Sequence, residues 1–270
     1  DLIVGARADA QGVKERLAVA PGEQLRLRGL ANGVRIDRHD QTVTAVPDSS
    51  LTVGRVRVTM CRMRYVVTGG TGFIGRRLIT RLLTLPETEA VHVLVRRSSL
   101  GRFEQLAQQW GERAHPLVGD LVEADLGLTD ATVTDLGDID HVVHCGAIYD
   151  ITAPEERQRA ANVEGTKAVI ALAKRLDATL HHVSSIAVAG TFRGVFTEDD
   201  FDVAQNLPTP YHRTKFEAEL LVRSAGRLRF RIYRPAVVVG DSRTGEIDKI
   251  DGPYYFFGIL STLASLPRFT

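Results

Sequence analysis

Residues 64–68 are a short apolar run, and Gly69-Gly70-Thr71-Gly72-Phe73-Ile74-Gly75 follows it without a gap. Few folds accept that order. A buried strand has to end, the backbone has to turn where side chains do not fit, and a helix has to begin. Residues 73–85 carry apolar side chains at helical spacing until Pro86 stops them. Without Cβ atoms the turn is tight and a ligand can approach the backbone. The helix N-terminus beyond it offers unpaired N–H groups and a partial positive charge. Such a turn suits a dinucleotide pyrophosphate, set against Thr68, Gly69, Thr71, Gly72, Phe73, Ile74 and Gly75. The spacing is G-x-x-G-x-x-G rather than G-x-G-x-x-G. A glycine-rich turn without a ligand is the plain alternative.

The chain beyond repeats the theme. Strand-like runs at 90–95, 115–118, 140–144, 179–184 and 230–239 (the last broken by Pro235) alternate with helical patterns at 100–110, 155–175 and 209–225. Near-continuous apolar strands separated by amphipathic helices predict an α/β fold, a Rossmann-type doubly wound parallel sheet. Residues 1–62 do not belong to this pattern. The first 64 residues hold no Phe, Tyr or Trp, and all 17 aromatics lie from Tyr65 onward. Aromatics supply much of a core's buried area. The first 62 residues therefore read as an extension or a mis-set start, and the alternative is a small β-rich appendage. The domain proper then runs 63–270, with a small C-terminal substrate-binding part that stops short at Thr270.

Composition removes several function classes. Of 270 residues 44% are hydrophobic and 25% charged, and the net charge of +1 gives no global attraction to nucleic acid or to an anionic membrane. Cys61 and Cys145 make neither a disulfide framework nor a zinc motif, so a metal site is not expected and a reducing, cytoplasmic compartment is. No basic-then-apolar leader is visible. The apolar stretch 254–266 falls short of the roughly 20 residues that cross a bilayer, which leaves peripheral membrane contact as the most a membrane could offer.

Two further places carry chemistry. The second strand ends in Val95-Arg96-Arg97, where an NAD site commonly places a carboxylate on the ribose. Guanidinium suits a 2′-phosphate, so Arg96 points to NADP(H), and Arg97 reads as a surface charge. Gly119-Asp120-Leu121 follows the third strand. Asp120 there either accepts from the adenine amino group or caps a helix. Cys145-Gly146-Ala147 ends the fourth strand, where Gly146 and Ala147 are small enough to let a cofactor lie close. Tyr211 and Lys215 stand at i and i+4 and share a helix face. A nearby ammonium lowers a phenol's pKa from about 10, and the phenol can then give a proton to a developing alkoxide. Ser184-Ser185 closes the fifth strand, at the sheet edge where ligands bind, and a hydroxyl there can hold a carbonyl oxygen. Capping a turn is the other use of that serine pair.

These pieces, with Asn162-Val163-Glu164-Gly165-Thr166 and Tyr233-Arg234-Pro235, make the chain resemble the extended short-chain dehydrogenase/reductase family. The resemblance selects Ser185 over Ser184, five residues before Gly190, and assigns Tyr211 and Lys215 as its catalytic pair. It implies that Asn162 helps place Lys215, that Lys215 also holds the nicotinamide ribose, and that Pro235 lines the cofactor site. His144-Cys145-Gly146-Ala147-Ile148-Tyr149-Asp150, residues 181–190 and residues 245–257 resemble the bacterial fatty acyl-CoA reductases and related thioester-reductase domains. The implied activity is NADPH-dependent reduction of a long-chain acyl-CoA or acyl-carrier-protein thioester to an aldehyde, with the alcohol a further step and a homodimer a possible assembly. Tyr254, Tyr255, Phe256, Phe257, Ile259 and Leu260 would line the acyl site or simply pack. Three other readings stay open: a reductase or epimerase of a nucleotide sugar, sterol or other ketone; a non-catalytic NADP-binding protein; and an inactive fragment.

Overall fold

The apolar runs become strands of one parallel sheet. The computed structural model of the chain describes residues 34–36, 43–45, 62–149 and 153–247. It divides into two units, Asp1–Arg62 and Met63–Thr270. In the first, β1 (Val34–Ile36) and β2 (Val43–Ala45) pair antiparallel. The second holds a six-stranded sheet of β3 (Met63–Thr68), β4 (Thr88–Val95), β5 (Ala114–Val118), β6 (His141–His144), β7 (Thr179–Val183) and β8 (Phe230–Tyr233). The spatial order is β5-β4-β3-β6-β7-β8, and every neighbouring pair is parallel. Strands are added outward in both directions from the β3–β6 seam. At that seam the connections diverge to opposite faces and leave a crevice at the carboxyl ends. The glycine turn and Cys145-Gly146-Ala147 both stand there.

Alternation along the strands sorts the two cores. Tyr65 and Val67 of β3 face one way with Val91, Val93 and Val95 of β4, under Ile79 and Leu83 of α1 (Phe73–Leu83) and Phe103 and Trp110 of α2 (Leu100–Trp110). Val66, Leu94, Val142 and Leu180 face the other way and meet Val169, Ile170, Leu172 and Ala173. A short helix, α3 (Asp130–Asp135), was not expected. Its N-cap Thr129 accepts from Thr132 N, but six residues are too few for a readable period.

The helix expected over 155–175 is not uniform. It runs as α4 (Glu155–Arg159), a π turn over Ala160–Glu164, and α5 (Gly165–Arg175). A π turn carries one extra residue and often marks a functional place, and this one contains Asn162. Its exit is tight, because a Cβ on Gly165 would meet Leu121 O at 3.0 Å. The last strand ends at Tyr233, earlier than the pattern to 239 suggested, and Pro235 cannot donate to a ladder. The last helix of the site, α6 (Pro210–Arg223), starts on Thr209, whose side chain accepts from His212 N. No helix among the described residues is long and apolar enough to cross a membrane. The aromatic segment 254–260 lies outside the described residues.

Candidate active site

At the end of β3 the chain turns through Gly69 with φ +68°, and a Cβ there would stand 2.6 Å from Gly146 N. The turn therefore needs glycine on both counts, conformation and space. Gly75, inside the first turn of α1, is packed directly on Gly69 and Gly70. Gly72 is the N-cap of α1 in an extended conformation and brings no side-chain acceptor to the first-turn N–H groups. Thr71 and Phe73 are half-buried in this turn, and Ile74 is exposed at its rim. A cradle that Cβ atoms would fill, in front of an uncapped helix start, fits a pyrophosphate. Gly146 closes the cradle from β6: a Cβ on it would meet Leu121 Cδ1 at 2.5 Å, and half-buried Ala147 follows it. One Asp120 carboxylate oxygen accepts from Val122 N at 3.2 Å, so this residue caps its own turn. Arg96 and Arg97 both stand exposed at the carboxyl end of β4.

A buried chain of hydrogen bonds ties this end to Asn162, and its polarity can be read. Gly146 N donates to Thr68 Oγ1 at 3.1 Å, which leaves the Thr68 hydroxyl proton for His144 Nδ1 at 2.7 Å. His144 Nε2 then donates to Thr166 Oγ1 at 3.0 Å, and that hydroxyl donates to Asn162 O at 2.6 Å. The chain is complete with a neutral imidazole that accepts at Nδ1 and donates at Nε2. Burial, with the Lys215 charge in the same direction, agrees by pushing the His144 pKa down to about 3. Asn162 itself, 2% exposed, donates to Ile148 O at 2.9 Å and accepts from Ile148 N at 2.7 Å. It also donates to Thr214 Oγ1 at 3.2 Å. It thus holds the loop after β6 and the residue before Lys215, rather than Lys215 directly.

The second cluster lies where β7 meets α6. Ser185 caps a 3-10 turn over Ile186–Ala189, its Oγ accepting from Ala187 N at 3.1 Å. The same hydroxyl is near enough to the Tyr211 phenol to lower its pKa. Pro235 O accepts from Ile186 N at 3.1 Å, which brings Pro235 beside the serine. Lys215 is 3% exposed and its Nζ donates to Val183 O at 2.8 Å. Burial lowers its pKa to about 8, while Glu219 and Cys145 push the other way. The phenol departs from expectation: burial raises the Tyr211 pKa, and only the Ser185 hydrogen bond opposes this. Ser184 is not a rival for the serine role, because its hydroxyl donates to Glu219 Oε2 at 2.6 Å.

The expected site residues lie in two groups, at the glycine turn and β-strand ends and at the β7–α6 junction, with Asn162 apart from both in the π turn that its hydrogen bonds tie to the loop after β6 and to Thr214. His144, Thr166, Thr214 and Glu219 were missed. The signal for Glu219 was present: it stands at i+8 from Tyr211, an acid on the face that the Tyr–Lys spacing turns inward.

The chain belongs to the NAD-binding family described as male sterility protein, which it matches over residues 67–270; this places it among the extended short-chain dehydrogenases/reductases. It is 31% identical over 212 residues to a non-canonical nonribosomal peptide synthetase of Aspergillus hancockii, a match covering 70% of this chain and 21% of that protein. The terminal R domain of the myxalamid PKS-NRPS pathway superposes with a TM-score of 0.61 at 31% identity, over 69% of this chain and 52% of that one. The PhqB reductase domain of Penicillium fellutanum superposes at 0.58 and 26% identity, over 75% and 56%. The chain therefore spans about half the length of these solved domains and about a fifth of the curated relative.

Proposed function

We propose that this chain forms the nicotinamide-binding and proton-donating part of a reductase that converts an acyl thioester to an aldehyde with NADPH. The observation that carries the reading is the Ser185–Tyr211 hydroxyl pair, with buried Lys215 one turn along α6, at the sheet edge that also carries the glycine turn. Thr68, Gly69, Thr71, Gly72, Phe73, Ile74 and Gly75 hold the pyrophosphate, and Gly146, Ala147, Asp120, Leu121 and Pro235 line the remaining wall. Bound there, the dinucleotide supplies the hydride that the thioester carbonyl carbon accepts. Ser185 Oγ and Tyr211 Oη hold the carbonyl oxygen, and Tyr211 gives its proton as charge develops there. The raised phenol pKa suits this role, since it keeps the proton on Tyr211 at neutral pH. The resulting hemithioacetal expels the thiol, leaving the aldehyde. Asn162 and Thr214 fix the helix turn that presents Lys215.

Lys215 sets the pH dependence. With its pKa near 8, it is charged below that value and neutral above it. Its charge favours the nascent phenolate, so kcat/KM is expected to hold through neutrality and fall as pH rises past about 8. A profile that keeps rising to pH 10 would contradict this. Cofactor preference rests on Arg96. Arg96→Ala is expected to lower NADPH affinity roughly tenfold to a hundredfold while leaving NADH binding unchanged. Equal losses for both cofactors would place the 2′-phosphate elsewhere.

Similarity to assembly-line reductase domains favours a thioester carried on a protein-bound thiol, with a long-chain acyl-CoA as the free counterpart. A free Cys145 suits a reducing cytoplasm. The test is NADPH oxidation by the whole protein with palmitoyl-CoA, with the same acyl group on a carrier protein, and with UDP-sugars. Thioester-dependent oxidation releasing free thiol is expected. Turnover of a UDP-sugar alone would replace this reading with the nucleotide-sugar one.

A further inference from the structure

Glu219 is 0% exposed and lies on α6 two turns beyond Tyr211 and one beyond Lys215. A carboxylate is costly to bury unless it is fully partnered, and this one is. Ser184 Oγ donates to Oε2 at 2.6 Å, Arg223 Nε to Oε1 at 2.8 Å and Arg234 Nη2 to Oε1 at 2.7 Å. Arg234 carries the tie outward, donating to Thr197 O at 3.0 Å and Asp200 O at 2.8 Å. Two consecutive residues at the end of β7 are thereby fastened to two successive turns of α6: Val183 accepts from Lys215 and Ser184 donates to Glu219. The next residue, Ser185, stands near Tyr211 on a third turn.

We infer that Glu219 is a positioning residue for this site: through Ser184 it fixes the strand end that presents Ser185, and through its charge it keeps Lys215 an ammonium. The inference rests on the Ser185–Tyr211–Lys215 reading above. Other groups that act on Lys215, or on which it acts, differ in kind. His144 of β6 and His182 of β7 are buried, and their pKa values are driven down by burial and by the Lys215 charge. Cys145 has its thiol pKa raised to about 11 by burial. Tyr211 is held as a phenol. Among these groups Glu219 alone is an anion at neutral pH, because burial, which would raise its pKa, is outweighed by the hydrogen bonds from Arg234, Ser184 and Arg223.

The experiment separates charge from shape with Glu219→Gln, an isostere, and Glu219→Asp, which restores the charge. The sequence holds five lysines, so the Lys215 Cε resonance can be identified by its loss in Lys215→Arg. Its titration is followed by NMR in the whole protein. The Glu219→Gln midpoint is expected below that of the parent protein, with Glu219→Asp returning toward it. The alkaline limb of kcat/KM moves to lower pH by the same amount, and kcat at neutral pH falls about tenfold with KM for NADPH unchanged. An unchanged Lys215 midpoint in folded Glu219→Gln overturns the inference, whatever the activity. A shifted midpoint in a protein with no thioester turnover keeps the inference and removes the proposed reaction. If Glu219→Gln fails to fold, Ser184→Ala tests the strand tie. A loss in kcat at an unmoved Lys215 midpoint is expected there, and unchanged kcat overturns the positioning role.

Discussion

Tyr211→Phe is expected to lower thioester-dependent kcat/KM by about 10³–10⁴-fold while leaving the NADPH dissociation constant within about twofold. The large loss follows from two roles held by one oxygen. In the proposed reaction the phenol shares the carbonyl oxygen with Ser185 and is also the proton source, so removing it takes away an oxyanion donor and the acid together. The small binding change follows from position. The proposed pyrophosphate cradle is built on β3, α1 and β6, whereas Tyr211 sits on α6, which follows β7, two strands from β3 in the sheet. Ring packing survives, because only the hydroxyl is lost. NADPH fluorescence titration and single-turnover kinetics check both halves. Near-parental turnover would show that the proton comes from another group.

Gly69→Ala is expected to weaken NADPH binding by two orders of magnitude or more and to cost about 2–5 kcal/mol of stability. Left-handed backbone strain accounts for about 1–2 kcal/mol of this and overpacking for the rest. The two causes can be separated within the chain. Gly226 has the same φ of +68°, yet a Cβ there would meet nothing within 4 Å. Gly226→Ala should therefore show the strain alone, about 1–2 kcal/mol, with normal cofactor binding. The added loss in Gly69→Ala then measures the collision with Gly146 N. Urea unfolding with an NADPH titration makes the comparison, and equal losses would remove the crowding argument.

The sheet was readable in the sequence because its central strands β3, β4 and β6 are largely buried on both faces and so appear as continuous apolar runs between helical patterns, while the edge strands β5 and β8 are partly exposed. The glycine turn was readable because a positive φ and a 2.6 Å approach leave only one residue type. The pairing of Ser185 with Tyr211 could be expected from spacing and family resemblance. What escaped is long-range or local and short. The π turn at Asn162 has no compositional mark. The His144 relay joins residues 68, 144, 146, 162 and 166, and its polarity becomes legible only once all five are placed. The Tyr211 phenol was expected to be acidified by its i+4 neighbour. Burial raises its pKa instead, because helical spacing brings two side chains to one face but says nothing of how deeply the fold buries the phenol.

The proposed reaction transfers one hydride to a thioester carbonyl carbon and one proton to its oxygen. The direct measurement is mass spectrometry of the product formed from an acyl thioester and NADPH deuterated at the transferring position of the nicotinamide. One deuterium on the former carbonyl carbon of the aldehyde is expected, or two if the alcohol accumulates, with one thiol released per acyl group and no label transferred by Tyr211→Phe. Label appearing instead in a UDP-sugar or other ketone, with the thioester untouched, would contradict the account.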